Sequence, residues 1–145
     1  MNEAAEELEI LVKEYKAKFS ALSSSDWDYQ SALGKWTKKQ ILGHLIDSAA
    51  NNHQRFVRVQ FEDTPAIVYN PDNWNKAQNY NSSDINVLIG LFRSYNLHLA
   101  HIINNFPTEK LNEQIDLGKE ETYSIEWIMK DYLRHLQHHL GQIVN

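Results

Sequence analysis

The chain has 145 residues, 42% of them hydrophobic and 23% charged, and a formal net charge of −5. These values predict one folded domain over residues 1–145 with a genuine hydrophobic core, and they exclude an intrinsically disordered chain. The chain has no cysteine, which excludes disulfides, thiolate metal ligands and a catalytic thiol.

The charge pattern and the length of the apolar runs indicate which partners and which cellular location to expect. An acidic chain without a Lys- or Arg-dense stretch lacks the phosphate-neutralising surface of a nucleic-acid-binding protein. Residues 1–9 are acidic and do not have the features of a signal peptide. The longest mainly apolar stretch, residues 87–92, is far too short to cross a bilayer. We therefore expect a cytoplasmic protein that acts without nucleic acid or membrane.

Two segments in the first half of the chain carry apolar residues at helical spacing. The first segment predicts a helix over residues 3–22, and the Ser- and Asp-rich residues 23–26 end it. The second helix is predicted to begin after Thr37, because Thr37 and Gln40 have the spacing of a capping box.

Residues 62–82 follow the second helix and are rich in Pro, Asn and Asp, without strand or helix periodicity. Connectors of this length in small domains are often functional. The aromatic residues Tyr69, Trp74 and Tyr80 predict a packed lid of the Ω-loop type. A third helix is then predicted, capped by Ser83 and extending to about residue 105.

A further connector occupies residues 106–123, with a turn at Gly118, and Ser124 caps the last helix. Four amphipathic helices without strand alternation predict an all-α fold. The predicted architecture is a four-helix bundle with long connectors between helices 1 and 2 and between helices 2 and 3. The long second connector also frees the third helix from running antiparallel to the second.

The last helix carries three histidines in the segment DYLRHLQHHLGQIV. On a helical wheel His135 and His139 project together from the buried side, and His138 lies at its edge. Two imidazoles among apolar neighbours need partners for their nitrogens. A metal ion is one solution, because this i, i+4 spacing occurs in helical zinc sites. Inert, partly buried histidines are the alternative.

A polar stripe borders the apolar face of the second helix. It consists of His44, Ser48, Asn51 and Arg55. Such a stripe is either a solvated flank or one wall of a polar pocket.

Sites in helix bundles are built from inward side chains on facing helices. If the second and last helices are neighbours in suitable register, His44 can converge with His135 and His139 on one ion. Three protein ligands and an open position are typical of catalytic zinc sites. Asp47 and Gln142 are candidate acceptors that would orient the ligating imidazoles.

Two motifs carry a family resemblance. Trp36-Thr37, Ile41 to Asp47 and Asn52 to Phe56 look like the second helix of the DinB/YfiT-like superfamily, and residues 135–143 resemble its last-helix signature HxxHHxxQI. The resemblance implies a DinB-like four-helix bundle with a divalent metal, zinc or nickel, held by three histidines. Carried over by position, the metal ligands are His44, His135 and His139, and His138 is spared.

Some members of that superfamily are thiol S-transferases that use bacillithiol, mycothiol or glutathione. We therefore expect a metal-dependent enzyme that adds a low-molecular-weight thiol, as co-substrate, to a small electrophilic substrate. The expected substrate-binding residues are Asn51, Arg55, Trp74 and Tyr80, with Arg55 holding carboxylates of the thiol.

Two other functions stay open. A metal-dependent hydrolase of a small amide or ester needs a general base, for which the sequence offers Asp47, His138 or Glu126. A non-catalytic module would only bind a metal or ligand. An apolar flank on helix 1 or helix 3 would also allow a homodimer.

Overall fold

The computed structural model describes residues 1–144. Its helices are α1 (Asn2–Ser20), α2 (Ser24–Trp27), α3 (Lys38–Arg58), α4 (Pro71–Gln78), α5 (Ile85–Asn104) and α6 (Ile125–Ile143). Two 3₁₀ turns, Tyr80–Ser82 and Thr108–Lys110, and a two-stranded antiparallel sheet, β1 (Gln114–Ile115) and β2 (Tyr123–Ser124), complete it. The four long helices form a four-helix bundle, which confirms the predicted all-α fold.

Side-chain caps fix the beginnings of three of the four long helices, α3, α5 and α6. The Thr37 hydroxyl accepts from the backbone N–H of Gln40, and the Gln40 side chain accepts from the N–H of Thr37. This confirms the predicted capping box. Ser124 caps α6 as predicted. The prediction of Ser83 as the cap of α5 is wrong by one residue, because the Asp84 carboxylate accepts the N–H of Asn86.

The packing order of the bundle does not follow the chain. Helix α1 packs against α5 and α6, and α3 also packs against α5 and α6. Helices α1 and α3 therefore occupy opposite corners, although they are consecutive long helices. The chain must cross the bundle between them and again between α5 and α6, which explains why both connecting segments are long.

Contacts at two levels show that α3 and α5 run parallel. Near the start of both helices, Lys39 donates a hydrogen bond to the Ser83 carbonyl at 3.0 Å. Further along, His53 of α3 lies 2.9 Å from the hydroxyl of Tyr95 and packs against His98. The connector of residues 59–84 therefore returns along the length of α3, as its length allowed.

Helices α3 and α6 run antiparallel. His44, early in α3, contacts His139 late in α6, whereas Phe56 contacts the earlier Tyr132. The Tyr132 hydroxyl also donates to Asn96 of α5 inside the core, at 2.5 Å. This seam between α3 and α6 carries the histidines discussed below.

The connector of residues 59–84 is more regular than its sequence predicted. It contains α4, capped by Asn70 with Pro71 in the first turn, followed by a 3₁₀ turn. Asn79 between them adopts a left-handed conformation with φ of 48°. An eight-residue helix is too short to show apolar periodicity, so the expectation of an irregular lid was wrong.

The other two connectors also contain short elements that the sequence did not predict. Ser23 does not simply end α1, because Ser23 and Asp26 form a capping box for α2. The buried Trp27 then packs on Phe19. Strands of two residues show no alternation, so β1 and β2 were missed. The predicted turn at Gly118 is confirmed by its φ of 77°.

None of the helices in residues 1–144 combines the length and the hydropathy that crossing a membrane requires.

Tyr80 anchors the connector of residues 59–84 to the bundle. Its ring is buried against α3 at Gly43, where an added Cβ would overlap the ring carbons. Its hydroxyl donates to the buried carboxylate of Asp47 at 2.5 Å. Gly43 is therefore required by close approach rather than by backbone conformation.

We expect Gly43→Ala to destabilise the protein by about 1–3 kcal/mol, because overpacking displaces the Tyr80 ring. Gly90→Ala is the matched control, since nothing lies within 4 Å of a Cβ at this helical position. That control should stabilise by up to about 1 kcal/mol through helix propensity. Urea unfolding followed by circular dichroism measures both. Equal effects of the two substitutions would contradict the packing of Tyr80 on Gly43.

Candidate metal centre

Three histidines converge at the seam between α3 and α6. The Nε2 atoms of His44 and His135 lie 3.0 Å apart. The ring centroid of His139 lies 4.8 Å from that of His44 and 4.4 Å from that of His135. One nitrogen from each ring can be chosen so that all three lie within 4.8 Å of one another. The structure thus brings together the three residues that the sequence selected as metal ligands.

The donor set suits a divalent metal ion. Neutral imidazoles are common ligands of zinc and nickel. In a tetrahedral site with metal–nitrogen bonds of about 2.0–2.1 Å, ligand nitrogens lie about 3.3 Å apart. The separation of 3.0 Å between His44 and His135 is close to that value. His44 is buried, and its Nδ1 has no hydrogen-bond partner within residues 1–144.

Burial keeps these imidazoles in the neutral form that binds metal. Desolvation, with the neighbouring imidazoles, lowers the pKa of His44 to about 3. Desolvation likewise lowers the pKa of His135 to about 4. The pKa of His139 is lowered by burial, and its hydrogen bond to Gln142 partly opposes that shift.

Gln142 contacts both His139 and His138, and it orients the imidazole of His139. Its Oε1 lies 2.7 Å from Nδ1 of His139 and can only accept, so Nδ1 carries the proton and Nε2 keeps its lone pair. The amide nitrogen of Gln142 lies 3.4 Å from Nε2 of the exposed His138. His138 is therefore outside the cluster, at the edge where the sequence placed it.

Asp47 does not orient His44. Its buried Oδ1 accepts from Tyr80 and, at 2.7 Å, from Gln78. Burial raises the pKa of this carboxyl, and those two hydrogen bonds oppose the rise. Asp47 follows His44 by three positions in α3, yet its carboxylate accepts hydrogen bonds from the connector of residues 59–84 instead. Asp47 makes no hydrogen bond to His44, so its predicted role in orienting that imidazole is wrong. Its Oδ2 has no hydrogen-bond partner within residues 1–144, and its role as catalytic base stays a prediction.

The predicted substrate-binding residues separate into different environments. Tyr80 lies in the core on Gly43, and Asn51 is buried with its amide donating to the Asp47 carbonyl at 2.9 Å. Trp74 packs on Tyr69 at a centroid distance of 5.8 Å and lines neither of the cavities beside the histidines. Only Arg55 of the four faces such a cavity.

Asn52, rather than the predicted Asn51, lies in the wall of the cavity that Arg55 faces. The sequence placed Asn51, not Asn52, on the polar stripe. The cavity lies between α3 and α6, and Tyr69 and Leu117 from two connectors complete its wall. Ser48 lines the cavity as the stripe predicted.

Two cavities reach the histidine cluster from different sides. The inner cavity, of about 110 Å³, includes His135 in its wall. The outer cleft, of about 570 Å³, includes His139 and Gln142. The inner walls also carry Ser48, Asn52, Arg55, Tyr69 and Asp131. The outer walls also carry Tyr29, Lys35, Trp36, Lys38 and Ile41.

The family model of the DinB superfamily matches residues 7–143, a range that includes all three histidines. This chain belongs to the DinB superfamily. The superfamily resemblance found in its sequence motifs is thereby confirmed.

Curated relatives align over most of their length. A Bacillus subtilis protein named "Putative metal-dependent hydrolase YfiT" is 23% identical over 138 residues, which cover 94% of this chain and 78% of the relative. A protein of Oceanobacillus iheyensis with the same type of name is 24% identical over 146 residues, covering 100% of this chain and 84% of the relative.

Solved structures share the fold. Bacillus subtilis YfiT, described as "a probable metal-dependent hydrolase with an unusual four-helix bundle topology", superposes with a TM-score of 0.88 at 22% identity, covering 97% of this chain and 82% of YfiT. A mycothiol-dependent maleylpyruvate isomerase superposes with a TM-score of 0.76 at 14% identity, covering 95% of this chain and 58% of the isomerase.

Two residues beside the cluster of this DinB-superfamily chain were not predicted from the sequence. Trp36 packs against His44 with ring centroids 4.9 Å apart, and Asp131 faces the inner cavity. Asp131 could have been selected, because it precedes His135 by one helical turn. Trp36 lies outside a helix, and its position depends on how the first connector folds back.

Alanine substitution of His44, His135 or His139 should weaken divalent-metal binding by more than about 100-fold, since an outer-sphere partner alone is worth about 10–100-fold. His138→Ala and the exposed His101→Ala are matched controls and should retain stoichiometric metal. Gln142→Ala should fall between the two groups. Elemental analysis and metal titration of tag-free protein measure this. Full metal content in His135→Ala would refute the ligand set.

The metal-free protein should lose stability as the pH falls below about 6.5. Between this value and about 3 the unfolded chain protonates His44 while the folded chain does not. Each such histidine contributes a slope of up to about 1.4 kcal/mol per pH unit. Urea unfolding with chelator at pH 7.5, 6 and 5 tests this. The slope should be smaller in His44→Gln, and an unchanged slope would contradict burial as its cause.

Proposed function

We propose that this protein is a metal-dependent transferase that joins a low-molecular-weight thiol to a small electrophilic substrate. The observation that carries the proposal is that two separate cavities reach the three-histidine cluster. His135 lines the inner cavity, whereas His139 lines the outer cleft. A two-substrate reaction needs two binding regions at one centre, whereas the hydrolysis of one substrate by water needs only one.

The walls of the two cavities differ in a way that suits two different ligands. The inner cavity is small and is lined by the opposite charges of Arg55 and Asp131. The outer cleft is several times larger and combines Trp36 and Ile41 with the cationic residues Lys35 and Lys38. We assign the thiol co-substrate to the inner cavity and the electrophile to the outer cleft.

A zinc or nickel ion held by His44, His135 and His139 would supply Lewis acidity that favours the thiolate form of a thiol. The chain contributes the remaining parts of the site. Burial keeps the imidazoles neutral, and Gln142 holds the proton of His139 on Nδ1. The indole of Trp36 covers His44 and limits the access of water. Because the chain has no cysteine, the nucleophile comes with the co-substrate.

The relatives support metal-dependent chemistry in general. Two are named for metal-dependent hydrolysis, and the more distant isomerase is named for dependence on mycothiol. At 14% identity that isomerase supports the fold alone, so the assignment of a thiol rests on the cavities and on the missing cysteine.

Hydrolysis of a small amide or ester is the second candidate, and His138 favours it. This exposed imidazole lies 5.1 Å from the ring of His139 by centroid distance. Its Nε2 faces the amide nitrogen of Gln142, which itself lines the outer cleft. A general base at this position would activate water beside the cluster. Asp47 is the less suitable base, because its carboxylate is buried and its Oδ1 accepts hydrogen bonds from Tyr80 and Gln78.

The proposed transfer is tested with bacillithiol, mycothiol, glutathione and cysteine, each against a chromogenic electrophile, using zinc- or nickel-loaded protein. We expect conjugate formation with at least one thiol. The rate should fall by more than about 100-fold in His135→Ala, which loses a metal ligand, and stay unchanged in the control His101→Ala.

A panel of esters and amides, assayed with and without thiol, separates the two candidates. His138→Ala should retain thiol transfer, whereas it should abolish hydrolysis that depends on this base. Metal-dependent hydrolysis without any thiol-dependent conjugation would overturn the transferase proposal. No turnover of either kind in metal-loaded protein would leave a binding module as the function and overturn both candidates.

A further inference from the structure

The inner cavity places two opposite charges in its wall without pairing them. Arg55 reaches the cavity from α3 and Asp131 reaches it from α6, one helical turn before His135. Within residues 1–144 no ion pair of 4.0 Å or less joins them. Two opposite charges that share a cavity but remain apart can each bind one end of a ligand.

Within residues 1–144 no carboxylate forms an ion pair with Arg55. Its Nη2 donates to the Ile67 carbonyl at 2.8 Å, and its Nη1 donates to the Asn52 side-chain oxygen at 3.3 Å. Both acceptors are neutral. Its Nε is buried and has no hydrogen-bond partner within residues 1–144. The Tyr69 ring lies 5.8 Å from the guanidinium carbon and helps to fix its plane.

Asp131 presents the complementary charge on the other wall. Its Oδ1 accepts from Arg134 on the outside of α6 at 3.1 Å, and about half of its side chain is exposed. The oxygens of its carboxylate can accept hydrogen bonds from an ammonium group. Its negative charge also disfavours a ligand with two anionic groups, such as a phosphate monoester, in the same cavity.

We propose that the inner cavity binds the ammonium and carboxylate of an α-amino acid group, with the carboxylate on Arg55 and the ammonium on Asp131. The two ligand charges lie on one carbon, and the cavity of about 110 Å³ has room for little more than this head group. His135 shares the cavity, so the remainder of the ligand extends towards the histidine cluster. The inference rests on the proposed function in that the bound group belongs to the thiol co-substrate.

Three thiols that differ only in head group test the proposal. l-Homocysteine carries both charges, 3-aminopropane-1-thiol lacks the carboxylate, and 4-mercaptobutanoate lacks the ammonium. Isothermal titration to zinc-loaded and to metal-free protein measures their affinities. We expect wild-type protein to bind homocysteine at least about tenfold more tightly than either analogue, because each analogue lacks one of the two charge-assisted hydrogen-bonding groups.

Two substitutions assign the charges. Asp131→Asn should remove the preference for homocysteine over 4-mercaptobutanoate, and Arg55→Gln should remove the preference over 3-aminopropane-1-thiol. Arg58→Gln and Glu14→Gln are matched controls, because both residues pair on a helix surface, with Glu62 and Lys18 respectively. Asp131 is partly exposed, and within residues 1–144 its side chain accepts a hydrogen bond only from Arg134 on the helix surface, so its variant should fold even if Arg55→Gln does not.

The outcomes distinguish this inference from the proposed transfer. Preferences that persist in metal-free protein and vanish in the two variants support the amino-acid subsite, even if no conjugate forms with any electrophile. A preference for the amine that survives Asp131→Asn reports chelation of the zinc ion and overturns the assignment. Equal binding of all three thiols overturns it as well, even if thiol transfer is observed.

Discussion

The contact between His44 and His135 is the constraint on which the site depends. Two nitrogens 3.0 Å apart in the seam between α3 and α6 cannot both carry protons, so one ring must donate to the other or both must bind a cation. Burial removes the option of protonating both rings, because it lowers both pKa values far below neutrality. The antiparallel seam therefore holds two neutral imidazoles whose facing nitrogens can either share one hydrogen bond or bind one metal ion.

The surroundings of the seam determine which ligands could reach the histidine cluster. Helix α6 offers His135 to the inner cavity and His139 to the outer cleft, because residues four apart lie one above the other on one helical face. The connector of residues 59–84 closes the inner side and supplies the carbonyl that holds Arg55. The first connector provides Trp36 on the outer side. A metal centre between two unlike cavities follows from this arrangement.

The sequence predicted what depends on periodicity and on local caps. The four long helices and the caps at Thr37 and Ser124 follow from side-chain spacing along single helices. The grouping of His44 with His135 and His139 required in addition that the second and last helices be neighbours, and the family resemblance implied it. Residues whose environment depends on a connector were assigned less well. Tyr80 and Asp47 each have chemistry suited to a substrate site, yet they satisfy each other inside the core, and only the path of residues 59–84 reveals this. Short elements such as α2, α4 and β1 carry too few residues for a periodic signal.

The parallel course of α3 and α5 has a consequence for how this chain reaches its native state. In an up-and-down bundle each helix pairs with its successor, so helical hairpins can form early from local contacts. Here α1 packs against α5 and α6, which come much later in the chain, and His44 and His135, whose Nε2 atoms are in contact, are 91 positions apart. Closing such large loops costs entropy before any contact compensates for it, and folding rates fall as contact order rises. The bundle should therefore fold more slowly than an up-and-down bundle of equal helix content, with the histidine cluster among the last features to assemble.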